Sequence, residues 1–363
     1  YKKKTIVVGC LVERYFEELK EAIPEVDLWI PFKDEYQKLP SLVSKMFNDE
    51  VSLPSFDITE RINNDKAITY LKIAEGCNKF CAYCAIPYIR GRFVSYPIEE
   101  LVTYAKKVAK KGVKELVLIA QDPTSYGKDF KEKKCTLVDL LTELDKIPEI
   151  EFIKTLYLYP DGLSDELINF IKTHPKCSHY FDIPLQHISN PLLKAMNRKD
   201  DKETIVNLIK KIKREIPDAI LRTTLIVGFP GESKKEFDEL KEFVKEFKFN
   251  HLGVFTYSRE EGTKAYSLPN QVRESTKIKR KQEIMELQAK ISYALNKEMI
   301  GRVFKALIID EKKNEYLLSC DFNAPDDVDG KVILLKKKDH QIGDVVNVKV
   351  VNSFVYDLLV EEI

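Results

Sequence analysis

AITYLKIAEGCNKFCAYC, residues 67–84, passes from one kind of sequence to another without a break. Its first eight residues read as a buried strand, which runs almost directly into Cys77, Cys81 and Cys84, spaced CxxxCxxC. No further cysteine and no histidine lies nearby to complete a set of four. The chain downstream repeats the strand. ELVLIAQD (115–122), FIKTLYLYP (152–160), YFDIPLQ (180–186), AILRTTLIVGF (219–229) and HLGVFTYS (251–258) are apolar runs of strand length. Between them lie segments with apolar residues at three- and four-residue intervals, such as PIEELVTYAKKVAKK and KETIVNLIKKIKREI. Ser164, followed by Asp165 and Glu166, and Ser233, with Glu236 three residues on, mark two of the helix starts. Strands alternating with helices imply right-handed βαβ units and a parallel sheet. Closure into a barrel takes eight such strands. The six here predict an α/β fold with an open, partial, TIM-like barrel. Chemistry in parallel α/β barrels sits at the C-terminal ends of the strands, so the three thiols are expected on that rim. Asp122, Tyr159, Gln186, His187 and the stretch GFPGE (228–232) arrive at the same rim.

The flanks differ in pattern. The opening KKKTIVVGCLVERYFEELKEAI reads as a strand, a turn at Gly9-Cys10 and an amphipathic helix. VDLWIPF reads as a second strand, followed by a helix near Leu42 to Phe47, and DEVSLPSFDITERINND (49–65) as a linker. After a long amphipathic segment, Glu274 to Met299, the period becomes two, predicting a small all-β barrel of about five strands, OB-like in size. The expected domains are 1–65, 66–296 and 297–363. The 363 residues carry a formal net charge of +1, so charge alone implies no polyanionic partner. No apolar run reaches the ~20 residues that cross a membrane. Seven cysteines, clustered and odd in number, without a secretory signal, point to a reducing cytoplasm rather than a disulfide framework.

Three clustered thiols admit three readings. As half of a zinc site they would borrow a distant ligand, because structural zinc takes four. As buried core cysteines they would do no chemistry. As ligands of a four-iron cubane they would leave one iron open to a small molecule, the arrangement needed to pass an electron into a bound ligand. Arg222 stands within a run that otherwise reads as buried strand, and a buried guanidinium needs an anion, either a ligand carboxylate or a structural partner such as Asp182.

GCLVERY (9–15), EGCNKFCAYCAIPYIRG (75–91), LVLIAQDPTSYGKD (116–129), YFDIPLQHIS (180–189), LRTTLIVGFPGE (221–232), FTYSREEGTKA (255–265) and NAPDDVDG (323–330) carry a resemblance to a known family. The sequence resembles the methylthiotransferases of the radical S-adenosylmethionine superfamily, along essentially its whole length. The C-terminal barrel is similar to that family's TRAM domain. The resemblance implies that Cys77, Cys81 and Cys84 hold a [4Fe–4S] cluster whose open iron chelates S-adenosylmethionine. Reductive cleavage would then give a radical that abstracts hydrogen from an unactivated carbon. It further implies that Tyr83, Gln186, Arg222, Gly228 and Gly231 contact the cofactor, and that Cys10 is one of three ligands of a second cluster. The other two ligands are expected upstream of Tyr1, so the second cluster is expected to be incomplete in this sequence. Cys135, Cys177 and Cys320 match no motif and read as ordinary residues.

Within the family the resemblance favours the branch acting on an aspartate of a small-subunit ribosomal protein. A sister branch acting on an adenosine of transfer RNA is the alternative. From Lys297 onward ten Lys/Arg face thirteen Asp/Glu, a net of −3, where an RNA-binding barrel would show a basic face. Asp321, Asp326, Asp327 and Asp329 fall in one turn, and Asp326 and Asp327 are the expected contacts to a basic protein substrate. An electron donor such as flavodoxin or ferredoxin completes the partners the resemblance implies.

Overall fold

The computed structural model describes residues 3–47, 67–131, 135–325 and 328–363; the expected linker over 49–65 lies outside the described residues. The N-terminal part pairs β1 (Ile6–Gly9) in parallel with β2 (Leu28–Pro31). It adds α1 (Cys10–Arg14), α2 (Phe16–Ala22) and α3 (Phe32–Phe47), the last starting ten residues before the helix expected near Leu42.

The barrel strands are β3 (Ile68–Lys72), β6 (Glu115–Ile119), β7 (Phe152–Thr155), β8 (Tyr180–Gln186), β9 (Ile220–Val227) and β10 (His251–Thr256). A short hairpin absent from the sequence reading, β4 (Ala74–Glu75) with β5 (Val94–Ser95), brackets the cysteines. The strands form two parallel sheets, β3-β6-β7 and β8-β9-β10. Between them, Leu158 N–H donates to the Asp182 carbonyl at 2.8 Å. The helices are α4 (Ile86–Arg90), α5 (Ile98–Ala109), α6 (Leu137–Asp145), α7 (Asp165–Thr173), α8 (Asn190–Ala195), α9 (Lys202–Glu215), α10 (Lys234–Phe247) and α11 (Glu274–Glu298). Ser164 accepts from Leu167 N–H, and Ser233 with Glu236 makes the expected capping box.

Strand alternation divides the core in two. Leu116, Leu118, Phe181, Ile183, Leu221, Leu225, Leu252 and Val254 point outward and pack with the helices. Ile68, Val117, Phe152, Tyr180 and Ile220 point inward, and they pack instead on Phe304, Ile308, Phe322 and Val348 of the C-terminal barrel. That barrel is closed, with β11 (Val303–Glu311), β12 (Glu315–Ser319), β13 (Val332–Leu335), β14 (Val345–Ser353) and β15 (Leu358–Glu362) in the order β11-β12-β13-β15-β14. It therefore plugs the N-terminal end of the parallel strands, opposite the cysteine rim.

Charged groups tie the plug in place. Lys154, fully buried, donates to the carbonyls of Cys320 at 3.1 Å and Asn323 at 2.6 Å and pairs with buried Glu115 at 3.3 Å. His251 Nε2 meets the Phe322 carbonyl at 2.6 Å.

Candidate metal centre

The cysteine loop is fastened from several sides. Cys77 N–H donates to the Gly91 carbonyl at 3.2 Å, and Phe93 N–H to Asn78 Oδ1 at 3.3 Å. Ala82 N–H reaches the Met196 carbonyl at 2.9 Å, and Asn197 Nδ2 donates to the carbonyls of Lys79 and Phe80 at 3.2 and 2.9 Å. Gly76 stands at φ 76°, where a Cβ would overlap the Arg92 carbonyl, so only glycine lets the hairpin close on the loop. Cys77 and Cys81 are buried and Cys84 half-buried, and all three are free thiols. Burial pushes Cys77 up to about 11 and raises Cys84 as well, so these two thiols hold their protons until a cation displaces them. Lys79 N–H already points at Cys77 Sγ, 3.4 Å away. The thiols share this loop without being gathered on one point, and no group of three or more His, Cys, Asp or Glu among the described residues is already arranged around a metal position.

Around the loop, Tyr159 Oη lies 3.7 Å from Cys81 Sγ. Burial, first of all, raises the phenols of Tyr83 and Tyr159 well above their ordinary value, so both are neutral donors. Arg198 was missed in the sequence. Its side chain is buried. Nη2 donates to the Pro184 carbonyl at 3.1 Å and to Asp200 at 3.2 Å, and the guanidinium stacks on Tyr159 at 4.6 Å. Its Nε and Nη1 are buried with no hydrogen-bond partner among the described residues. With Nη2 taken by Asp200 and Pro184, the two remaining buried donors of Arg198, near Cys81, can still accept an anionic ligand. Lys79 is already engaged by Asp161 at 2.5 Å and Asp122 at 3.5 Å.

Other expected residues fall variously. Gln186 ends β8 at φ 67°, at the rim. His187, fully buried, accepts from Ser189 N–H and faces Glu232 at 3.8 Å, linking two strand ends rather than a ligand. Gly231 N–H donates to the Asn270 carbonyl at 3.0 Å, and the space where its Cβ would stand is open. Gly228 N–H is taken by Glu232, and a Cβ there would strike the Lys277 stem, so that glycine serves packing on α11. Arg222 meets the second of its two expected partners. Its guanidinium binds Asp182 at 2.8 Å and Asp329 of the C-terminal barrel at 3.2 Å, near the plugged end. The structural ion pair is the partner it finds. In the acidic turn, Asp321 binds Ser178 at 2.6 Å, and Asp329 is buried against Arg222, Tyr180 and the Ala324 amide. Asp326 and Asp327 lie outside the described residues. Cys10 opens α1, and α1 and α3 pack on α4, the helix just after Cys84, so the two cysteine-bearing segments adjoin.

Residues 71–244 match the Radical SAM superfamily and residues 300–363 the TRAM domain, the class that the partial barrel and its cysteine loop define. The ribosomal protein uS12 methylthiotransferase RimO of Clostridium botulinum (strain Loch Maree) is 44% identical, covering 98% of this chain and 81% of its own length. Its namesakes of Caldicellulosiruptor saccharolyticus (44% identical, 99% and 84%) and Clostridium perfringens (45%, 98% and 81%) match equally well. The chain belongs to the RimO family of radical SAM methylthiotransferases. Among solved structures, the cobalamin-dependent S-adenosylmethionine radical enzyme OxsB matches with a TM-score of 0.52 at 13% identity. That match covers 79% of this chain and 44% of the other, and the likeness is one of fold.

Proposed function

We propose that this chain adds a methylthio group to the β-carbon of an aspartate in ribosomal protein uS12. Cys77, Cys81 and Cys84 hold a [4Fe–4S] cluster, and S-adenosylmethionine binds beside it. Together, when bound, these supply the one-electron chemistry that removes hydrogen from an unactivated carbon. The protein's part is position. The unpartnered Nε and Nη1 of Arg198, next to Cys81 and the neutral phenols of Tyr83 and Tyr159, are the observation that carries this reading. They suit the carboxylate of S-adenosylmethionine, in the role first expected of Arg222. Gln186 and Gly231 complete the rim on which the cofactor lies. Cys10 is proposed as a ligand of a second cluster, a flavodoxin or ferredoxin as electron donor, and the cytoplasm as the compartment. No helix among the described residues is long and apolar enough to cross a membrane.

The test is mass spectrometry of uS12 and of transfer RNA after anaerobic incubation with cluster-reconstituted enzyme. A methylthio mass increment on one uS12 aspartate is expected. An increment on transfer RNA alone would replace this reading with the adenosine-directed one.

A further inference from the structure

Lys72 ends β3, on the inner face that Ile68 and Tyr70 also occupy, while Leu71 and Ile73 face the helices. Three donors converge there on one carboxylate, that of Glu75. Lys72 Nζ takes one oxygen; Arg90 Nη1 at 3.0 Å and Gly76 N–H at 3.2 Å take the other. Glu75 stands two residues before Cys77, and Arg90 six after Cys84. The Arg90 guanidinium also lies over the Phe32 ring at 4.7 Å, so it stands between the barrel and the N-terminal part that carries Cys10.

We propose that Lys72 and Arg90, oriented by Glu75, form the subsite for the side-chain carboxylate of the substrate aspartate. This rests on the function proposed above and locates its substrate. A carboxylate brought into the open barrel needs a paired cation. Among the cations near the lumen, Lys79 is held by Asp122 and Asp161, Lys154 by Glu115 and two carbonyls, Arg222 by Asp182 and Asp329, and Lys72 by Glu75. Arg198 sits at the cofactor side, on Tyr159. Arg90 keeps its Nε and Nη2 donors without an acceptor among the described residues, and its side chain is 25% exposed. β3 is an edge strand of the open barrel, and the opposite edge, β10, presents Phe255, 60% exposed, on its inner face. A peptide entering through that gap meets an apolar wall on one side and the two cations on the other. In an aspartate the β-carbon is bonded to the carboxyl carbon, so fixing the carboxylate fixes the reacting carbon.

A double-mutant cycle on binding, separate from turnover, tests this. The affinity of cluster-loaded full-length protein is measured by titration for uS12 and for uS12 with the modified aspartate changed to Asn. The parent protein is expected to lose about tenfold or more on the Asp→Asn change, the scale of one charge-assisted hydrogen bond. In Lys72→Met the same change is expected to cost no more than about twofold, since the coupling is gone. Should Lys72→Met not fold, judged by lost S-adenosylmethionine binding, Arg90→Gln runs the same cycle. An Asp/Asn ratio as large in the variants as in the parent overturns the subsite. The function itself fails only if uS12 gains no methylthio group.

Discussion

At the scale of residues, two arginines separate role from location. Arg222 was visible in the sequence as a charge in an apolar strand, and the inference that it needs an anion was right. Which anion it meets depends on a loop 107 residues away, at Asp329. Arg198 left no such mark, because a guanidinium in a charged turn reads as solvated until the fold buries it. Arg198→Met is expected to weaken S-adenosylmethionine binding about 10- to 100-fold, by equilibrium titration of the cluster-loaded protein. Arg222→Met is expected to leave that affinity within about twofold and to lower the thermal midpoint, because Asp182 and Asp329 lose their shared cation. Cys81→Ala should abolish bound iron and Cys135→Ala should retain it; full iron in Cys81→Ala would refute the ligand assignment.

At the scale of elements, the barrel strands and the helices around them follow from period and capping. The β4–β5 hairpin does not, since two-residue strands carry no periodicity. It is set by close approach at Gly76. Gly76→Ala forces a Cβ into the Arg92 carbonyl and requires a left-handed conformation, so the Cys77 N–H contact to Gly91 should break. The expected result is less iron per chain after reconstitution with the fold retained by circular dichroism. Iron uptake equal to the parent would show that the hairpin does not shape the loop.

At the scale of the molecule, the C-terminal barrel is a plug rather than an appended module. Among the described residues Glu115 has no hydrogen-bond partner for either oxygen, and it depends on Lys154 for its charge. Lys154→Met is therefore expected to cost about 3–5 kcal/mol in urea unfolding, the scale of a buried charge left alone, and adding Glu115→Leu should recover part of it. The junction is also acid-sensitive. Burial lowers the His251 imidazole below its ordinary value, so as pH falls the unfolded chain takes up this proton before the folded state does. Stability should thus be full above about pH 7 and fall as pH drops through about 6.5, the unfolded value. Asp329 acts lower. Burial would raise it, but His251, the Tyr180 hydroxyl, Arg222 and the Ala324 amide together hold it below the usual carboxylate range. Its contribution is present above about pH 4 and lost as pH falls through its folded value. Urea midpoints at pH 7.5 and 5.5 should converge in His251→Gln; an unchanged pH slope would remove His251 from this account.

Local chemistry determined much on its own. The CxxxCxxC spacing, strand alternation, Ser233 with Glu236, and the switch from period 3.6 to period two are written in neighbouring residues, so they could be read along the chain. Tertiary structure decided what depends on distant residues meeting. It set the end of the barrel on which the C-terminal domain sits, the burial of Asp329, the carboxylates that Arg222 holds, and the enclosure of Arg198 beside Cys81. Each is a matter of burial and pairing, and whether a charge lies in water or against a partner is fixed only once the chain has closed around it.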